Sequence, residues 1–209
     1  MGQAKQIKIK VIPAGLANDF VRRWHYSGSI VQNSVLHFGA FLHGGLHGVL
    51  SYGNPIDKRN VMGFVRGTGW NDFLELNRLA FDPELPKNSE SRAIAISCKL
   101  LRKNAPHVKW ILSFADATQC GDGTIYRASG FILCGIKKNS TIHRLPSGKV
   151  VAKHGTSRVD FTGSKKLEGY QIRYIKFLDS EKEKDLTLKR LPYSEIQRVG
   201  AGMYKGKTR

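Results

Sequence analysis

Arg78, Asp116 and Tyr126 are the residues whose types and spacing invite a chemical reading. Arg78 falls in Phe73–Phe81 (FLELNRLAF). Its alternation puts Leu74, Leu76, Arg78 and Ala80 on one side of a strand and Phe73, Glu75, Asn77, Leu79 and Phe81 on the other. Arg78 is then the one charge on an apolar face, and a buried guanidinium needs an anionic partner. Asp116 follows a nearly all-apolar run, 108–114, expected to be a central strand covered on both faces. It stands just past that strand's carboxyl end, where open α/β sheets bind ligands. Asp116 or a bound anion satisfies Arg78, and the spacing is compatible with a structural ion pair as well as with a reaction centre. Tyr126 lies on a short helix, 123–129, closed by Gly130. His25 stands in Trp24-His25-Tyr26-Ser27-Gly28, where a helix runs into a loop. A lone histidine there is most often a hydrogen-bonded structural residue.

The elements that must hold these residues can be read along the chain. Residues 6–12 form a short strand ended by Pro13. Ala14–Trp24 is a helix with Leu16, Phe20, Val21 and Trp24 on one side. Residues 35–42 and 45–52 form a hairpin about His43-Gly44-Gly45, with His37, His43 and His47 exposed or at an edge. After Phe81, Pro83 and Pro86 stop the strand, and Asn88 or Ser89 caps a helix over 90–103. A strand over 131–136 completes strand–helix–strand–helix–strand, which predicts parallel pairing through right-handed crossovers.

The chain has 34 basic and 16 acidic residues among 209, a net charge of +18. Such an excess favours a polyanionic partner, most simply nucleic acid, over the bland reading of a solvated basic face. It is concentrated late: residues 137–209 carry 18 basic against 7 acidic residues. There, 140–145 and 149–154 flank Pro146-Ser147-Gly148 as a hairpin. Such a basic ribbon can enter the major groove of DNA. Lys137, Lys138, Arg144, Lys149, Lys153, Arg158, Lys165 and Lys166 are the expected DNA contacts, with 159–166 a loop and 170–178 a further strand. One catalytic domain, 1–198, is expected, with 137–178 as its DNA-contacting extension and the Gly- and Lys-rich 199–209 as a flexible basic tail. Cys98, Cys120 and Cys134 form neither a disulfide framework nor a zinc signature, which suits a reducing cytoplasm. No apolar run is long enough to span a membrane and no secretory leader is visible.

The order of elements resembles the GNAT superfamily of acyltransferases. That resemblance implies an α/β fold: a mixed central sheet with flanking helices, here extended by the basic C-terminal β-hairpin. It also implies an acyl-CoA-type donor bound at the start of the long helix, through Asn88, Ser89 and Ser91. The loop 85–91 lacks the glycine-rich signature usual there. Trp24-His25-Tyr26-Ser27, Glu75-Leu76-Asn77-Arg78-Leu79, Asn88 to Arg92, Phe114-Ala115-Asp116 and the run from Gly123 to Phe131 resemble, more narrowly, the Mom family of phage DNA-modification proteins. The resemblance implies conversion of the exocyclic amine of adenine in double-stranded DNA to a carbamoylmethyl derivative. It also implies action in the host cytoplasm, protection from restriction nucleases, catalysis by Arg78, Asp116 and Tyr126, and Fe(II) held by His25, Tyr26 and Asp116.

The adenine amine is a poor nucleophile, so its attack needs an activated donor or a base such as Asp116. One carboxylate cannot easily be both a metal ligand and a free base. Tyr126 could donate a proton, stack on adenine or ligate metal; Arg78 could hold a donor carboxylate or orient Asp116. Base extrusion is expected, with Trp24, Tyr26 or Tyr126 stacking on the freed base. Two rival readings are a conventional acyl-CoA-dependent transferase and a non-catalytic nucleic-acid-binding protein.

Overall fold

The computed structural model describes residues 3–153 and 159–208. In chain order the elements are β1 (Lys8–Val11), α1 (Ala14–Trp24), β2 (Ser34–Leu42), β3 (Gly45–Gly53), α2 (Lys58–Met62), β4 (Phe73–Phe81), α3 (Ser89–Asn104), β5 (Trp110–Ala117), α4 (Thr124–Ala128), β6 (Ile132–Lys138), β7 (Ile142–Arg144), β8 (Val150–Ala152), β9 (Lys165–Lys166), β10 (Tyr170–Phe177), α5 (Ser194–Arg198), β11 (Met203–Tyr204) and β12 (Lys207–Thr208). Seven strands form one sheet in the order β1-β2-β3-β4-β5-β10-β6. Only β4 and β5, joined through α3, are parallel; every other neighbouring pair is antiparallel.

The parallel β5–β6 pairing expected from sequence is replaced. β10 lies between them, antiparallel to both. The reason is burial: Ile172 and Tyr174 on one face of β10, and Ile175 and Phe177 on the other, are all inside, so β10 needs an interior place. β6 ends in exposed Lys137-Lys138, which suits the edge. His37 is likewise inside, 5% exposed and hydrogen-bonded through Nδ1 to Ser51 Oγ at 2.8 Å, because β2 is covered by α1. On α1, Ala17, Phe20 and Val21 are buried, whereas Leu16 and Trp24 are exposed. The small Ala17 packs in a cluster with Val49 and Ala80.

β4 departs most from simple alternation. Ser51 pairs with Arg78 and Tyr52 with Leu76, so Asn77 is the extra residue of a bulge. Before it, Leu74 and Leu76 face the α3-side core; after it, Leu79 and Phe81 do. Arg78 therefore shares its face with Glu75 and with Ala80, not with Leu74 and Leu76. On the neighbouring side, the β4–β5 ladder runs from Phe73–Trp110 to Leu76–Ser113 and stops there. Both strands continue beyond it, leaving a fork in the sheet.

Two late segments also differ from the sequence reading. Part of the expected 159–166 loop is β9, which pairs with β7 to make a three-stranded sheet in the order β8-β7-β9. The expected flexible tail is a docked hairpin of β11 and β12. Ala201 and Met203 are buried in the main core, Asp122 N–H donates to Met203 O at 2.9 Å, and Gly206 N–H donates to Cys120 O at 2.7 Å. A docked methionine is worth about 1.5–3 kcal/mol. A protein ending at Val199 is thus expected to lose about 3 kcal/mol, lowering its melting temperature by roughly 5–10 °C. An unchanged melting curve would mean that the hairpin is not anchored.

Candidate active site

The fork positions Glu75, Arg78, Asp116 and Tyr126, and a strap after α1 lies across it. α1 ends where His25 N–H donates to Val21 O, and the left-handed Gly28 (φ 59°) turns the chain. From there Tyr26 OH donates to Asp116 Oδ2 at 3.1 Å. Arg78 Nε donates to Ser29 O at 2.7 Å. Ser34 Oγ donates to Asn77 Oδ1 at 2.9 Å, on the bulge itself.

Asp116 closes β5. Its Oδ1 accepts from Thr118 N–H at 2.9 Å, and its Oδ2 accepts from Gln119 Nε2 at 3.0 Å as well as from Tyr26. No Arg78–Asp116 ion pair is present among the described residues; Arg78 spends Nη1 on Asn77 O at 2.7 Å instead. The expected pairing fails because the bulge shifts the strand face that Arg78 joins. The charged neighbour of Arg78 is Glu75. Desolvation pushes the Glu75 carboxyl from 4.5 up to about 7, against the opposing pull of Arg78. Sequence alternation had put Glu75 on the opposite face; the signal available was two opposite charges three residues apart in one apolar strand.

Tyr126 is buried in the α3-side core, its ring 5.2 Å from Phe131 and 5.3 Å from Tyr174. Desolvation raises its phenol to about 12, with the Ser113 hydroxyl pulling the other way, so it stays protonated. Its burial removes it as a platform for a base; Trp24 and Tyr26, 37% and 49% exposed, remain accessible. Asp122, missed by sequence reasoning, fixes α4. It is 4% exposed. Its Oδ1 accepts from Thr124 N–H and Oγ1, and its Oδ2 from Met203 N–H.

His25, Tyr26 and Asp116 lie together, the His25 and Tyr26 rings 4.3 Å apart and the Tyr26 hydroxyl on Asp116. His25 Nδ1 lies 3.2 Å from Ser27 N and 2.8 Å from Ser27 Oγ. Desolvation, then Arg78, lowers its pKa to about 3. The ring is therefore neutral, and its tautomer is set by whether Nδ1 accepts from Ser27 N–H or donates to Ser27 Oγ. Removal of the Tyr26 hydroxyl from water, and the adjacent Asp116 charge, raise the phenol strongly, so it keeps the proton it gives to Asp116. Among the described residues no three His, Cys, Asp or Glu gather around a common point. His25, Tyr26 and Asp116, the residues expected to hold Fe(II), lie side by side at the fork.

Asn88, Ser89 and Ser91 lie apart, at the start of α3. Asn88 and Ser91 line a cleft of about 380 Å³ with Arg92, Ala95, Ala128 and Ser129. Ser89 is buried and gives both its N–H and its hydroxyl to Pro86 O, so its side chain is not available there. Lys137, Lys138, Arg144, Lys149, Lys153, Lys165 and Lys166 are all exposed along the end of β6 and the three-stranded sheet. Arg158 lies outside the described residues.

The sequence model of the Mom protein family matches residues 6–195. The chain belongs to the Mom family. It is 33% identical over 198 residues to methylcarbamoylase mom of Escherichia phage Mu, covering 89% of this chain and 81% of that protein. Solved structures place this Mom-family chain in the GNAT acyltransferase fold. An IAA acetyltransferase of Bacillus cereus superposes with a TM-score of 0.52 at 14% identity, over 82% of this chain and 99% of that one. A GNAT family acetyltransferase of Elizabethkingia anophelis, solved with acetyl-CoA bound, gives 0.51 at 15%, over 82% and 98%. Both the fold and the family expected from sequence are thereby met.

The raised Glu75 carboxyl makes a prediction about this Mom-family fold. Its folded value of about 7 lies above the ordinary 4.5. Its stability contribution is therefore intact below about pH 4.5 and lost as pH rises through 7. Glu75→Gln is expected to be more stable than the wild type by about 2–3 kcal/mol at pH 8, with little difference at pH 4.5. Urea unfolding at the two pH values reads this, and an equal shift at both would exclude a raised carboxyl.

Proposed function

We propose that this protein is a DNA-modifying transferase that converts the exocyclic amine of adenine in double-stranded DNA to a carbamoylmethyl derivative, shielding phage DNA from restriction nucleases. The observation that carries this reading is the 33% identity to a methylcarbamoylase over 89% of the chain. The geometry supports it, since a hydrogen bond between residues 90 positions apart holds Tyr26 and Asp116 at the mouth of the fork.

The roles follow from the environments. An amine that gains a bond to carbon must lose a proton, and Asp116 is the acceptor at the mouth of the fork. Tyr26, a protonated phenol, orients that carboxylate and presents a half-exposed ring on which an extruded base can stack. Arg78 is a fixed positive charge beneath the fork and suits an anionic group on the donor. Glu75, about half ionised near neutrality, tunes that charge. An acyl-CoA-type donor would lie at the start of α3, where Asn88, Ser91 and Arg92 would hold its phosphates. The bond to nitrogen forms at a methylene carbon, so the step is an alkylation of the amine and not a plain acyl transfer.

The +18 charge and the exposed lysines and arginines of the three-stranded sheet support duplex DNA as the partner. The rival of a small-amine acyltransferase gives that charge no task. Lys165→Glu with Lys166→Glu is expected to weaken duplex binding across all sequences and to flatten the salt dependence by about one unit per lost phosphate contact. An unchanged slope would remove these lysines from the interface. Nucleoside mass spectrometry of DNA from expressing cells tests the reaction itself. A heavier deoxyadenosine is expected with the wild type and about 100-fold less with Asp116→Asn. Ordinary nucleosides alone, from folded wild-type protein, would overturn the reading.

A further inference from the structure

The β11–β12 hairpin carries features that core packing does not require. Tyr204 pairs with Lys207, and Lys205-Gly206 is the two-residue turn between them. Both turn residues have positive φ, 49° and 74°, which is the type I′ geometry that favours asparagine and glycine. A lysine is thus held in the left-handed region at the tip. The two strands divide their work: Met203 is buried at 9% exposure, while Tyr204 is 48% exposed. The Lys205 ammonium lies 5.6 Å from the Tyr204 ring centroid. Lys207 is also exposed, and no acidic residue follows Glu195 in the chain.

The hairpin is fastened to the loop that carries Asp116. Gly206 N–H donates to Cys120 O at 2.7 Å. Cys120 and Gly121 N–H both donate to Asp116 O at 3.0 Å, and Gln119 Nε2 donates to Asp116 Oδ2. Met203 and Asp122 exchange two further hydrogen bonds, Asp122 N–H to Met203 O and Met203 N–H to the Asp122 carboxylate Oδ2. An exposed aromatic ring between two lysines is thereby held on a short rigid ribbon, bonded to the segment that leaves the reaction centre.

We propose that this hairpin is a DNA wedge: Tyr204 enters the base stack beside the target adenine while Lys205 and Lys207 hold the flanking phosphates. The inference rests on the DNA-modifying reading above and names the element that opens the duplex for it. A base inside a duplex must be unstacked before its amine can reach Asp116, and proteins meet that cost by inserting a side chain into the vacated step. An aromatic ring stacks on any base without sequence preference. Neighbouring aromatics are less suited. Tyr126 and Tyr174 are buried.

The test compares two oligonucleotides with the full-length protein, using cleared extract of expressing cells as the source of the donor. One is a perfect duplex; the other is identical except that each adenine faces an abasic site, so that the base is already loosened. Modified deoxyadenosine is measured by mass spectrometry. Tyr204→Ala is expected to lower modification of the perfect duplex by about tenfold or more while staying within about threefold of wild type on the loosened one. Tyr204→Trp is expected to retain activity on both. Unchanged modification of the perfect duplex by Tyr204→Ala would overturn the wedge. So would an equal loss on both substrates, which would assign Tyr204 to positioning of the 118–122 loop. A wild type that modifies neither oligonucleotide would instead bring down the DNA-modifying reading, and the wedge with it.

Discussion

The structure depends on one irregularity in β4. Asn77 adds a residue to the strand, and this single insertion has three consequences. It lets Leu74 and Leu76, then Leu79 and Phe81, face the same core although their spacing breaks the period of two. It brings Glu75 and Arg78 to one face, where each is the charge that partly offsets the other's removal from water. It falls where the β4–β5 ladder ends, so the two charges sit at the opening of the sheet. A regular strand would have separated them across the sheet and left Arg78 with no counter-charge on its own strand face.

The groups at the fork are then held from two sides. The strap after α1 ties Tyr26 to Asp116 and Ser29 to Arg78, and Ser34 at the start of β2 bonds to the bulge. On the far side, Asp122 joins three separate stretches of chain. It accepts from Thr124 at the start of α4 and from Met203 in the C-terminal hairpin, and its carbonyl accepts from Tyr174 OH in β10. Tyr126 is therefore placed by residues far from it in sequence. This is how a five-residue helix, too short to be stable alone, holds a phenol inside the core.

The sequence made the elements legible where periodicity or turn chemistry was strong. β4, α1 and the β2–β3 turn at His43-Gly44 all lie close to their expected limits. Arg78, Asp116 and Tyr126 stand out by residue type and spacing, whereas His25 and Tyr26 enter the site only through the family resemblance. What was not legible is what depends on distant parts of the chain. Nothing local announces the bulge at Asn77, so Glu75 and Arg78 were put on opposite faces. β10 enters the sheet between β5 and β6 from more than thirty residues later, and only its two-sided apolar composition hinted at an interior place. The C-terminal glycines suggested freedom, yet Gly206 supplies the positive φ of a tight turn. The same glycine content serves a flexible tail and a type I′ hairpin, and only the burial of Met203 separates them.

The hydrogen bonds of the fork describe a closed arrangement. Arg78 Nε and Nη1 are both committed to main-chain carbonyls, and Asp116 is covered on one oxygen by Tyr26. A donor carboxylate that engages Arg78 in bidentate fashion must displace Ser29 O, and an amine that reaches Asp116 must share or replace the Tyr26 hydroxyl. Both contacts come from the same nine-residue strap between α1 and β2, which has no secondary structure and is anchored by Gly28 at a positive φ. The Arg78 and Asp116 side chains are thus covered by the irregular segment between α1 and β2 and not by the sheet. The same segment carries the His25 ring, kept neutral by its removal from water and then by the Arg78 charge. One short stretch of chain thus covers both the cation of the fork and its carboxylate, so the exposure of Arg78 and that of Asp116 depend on the same backbone.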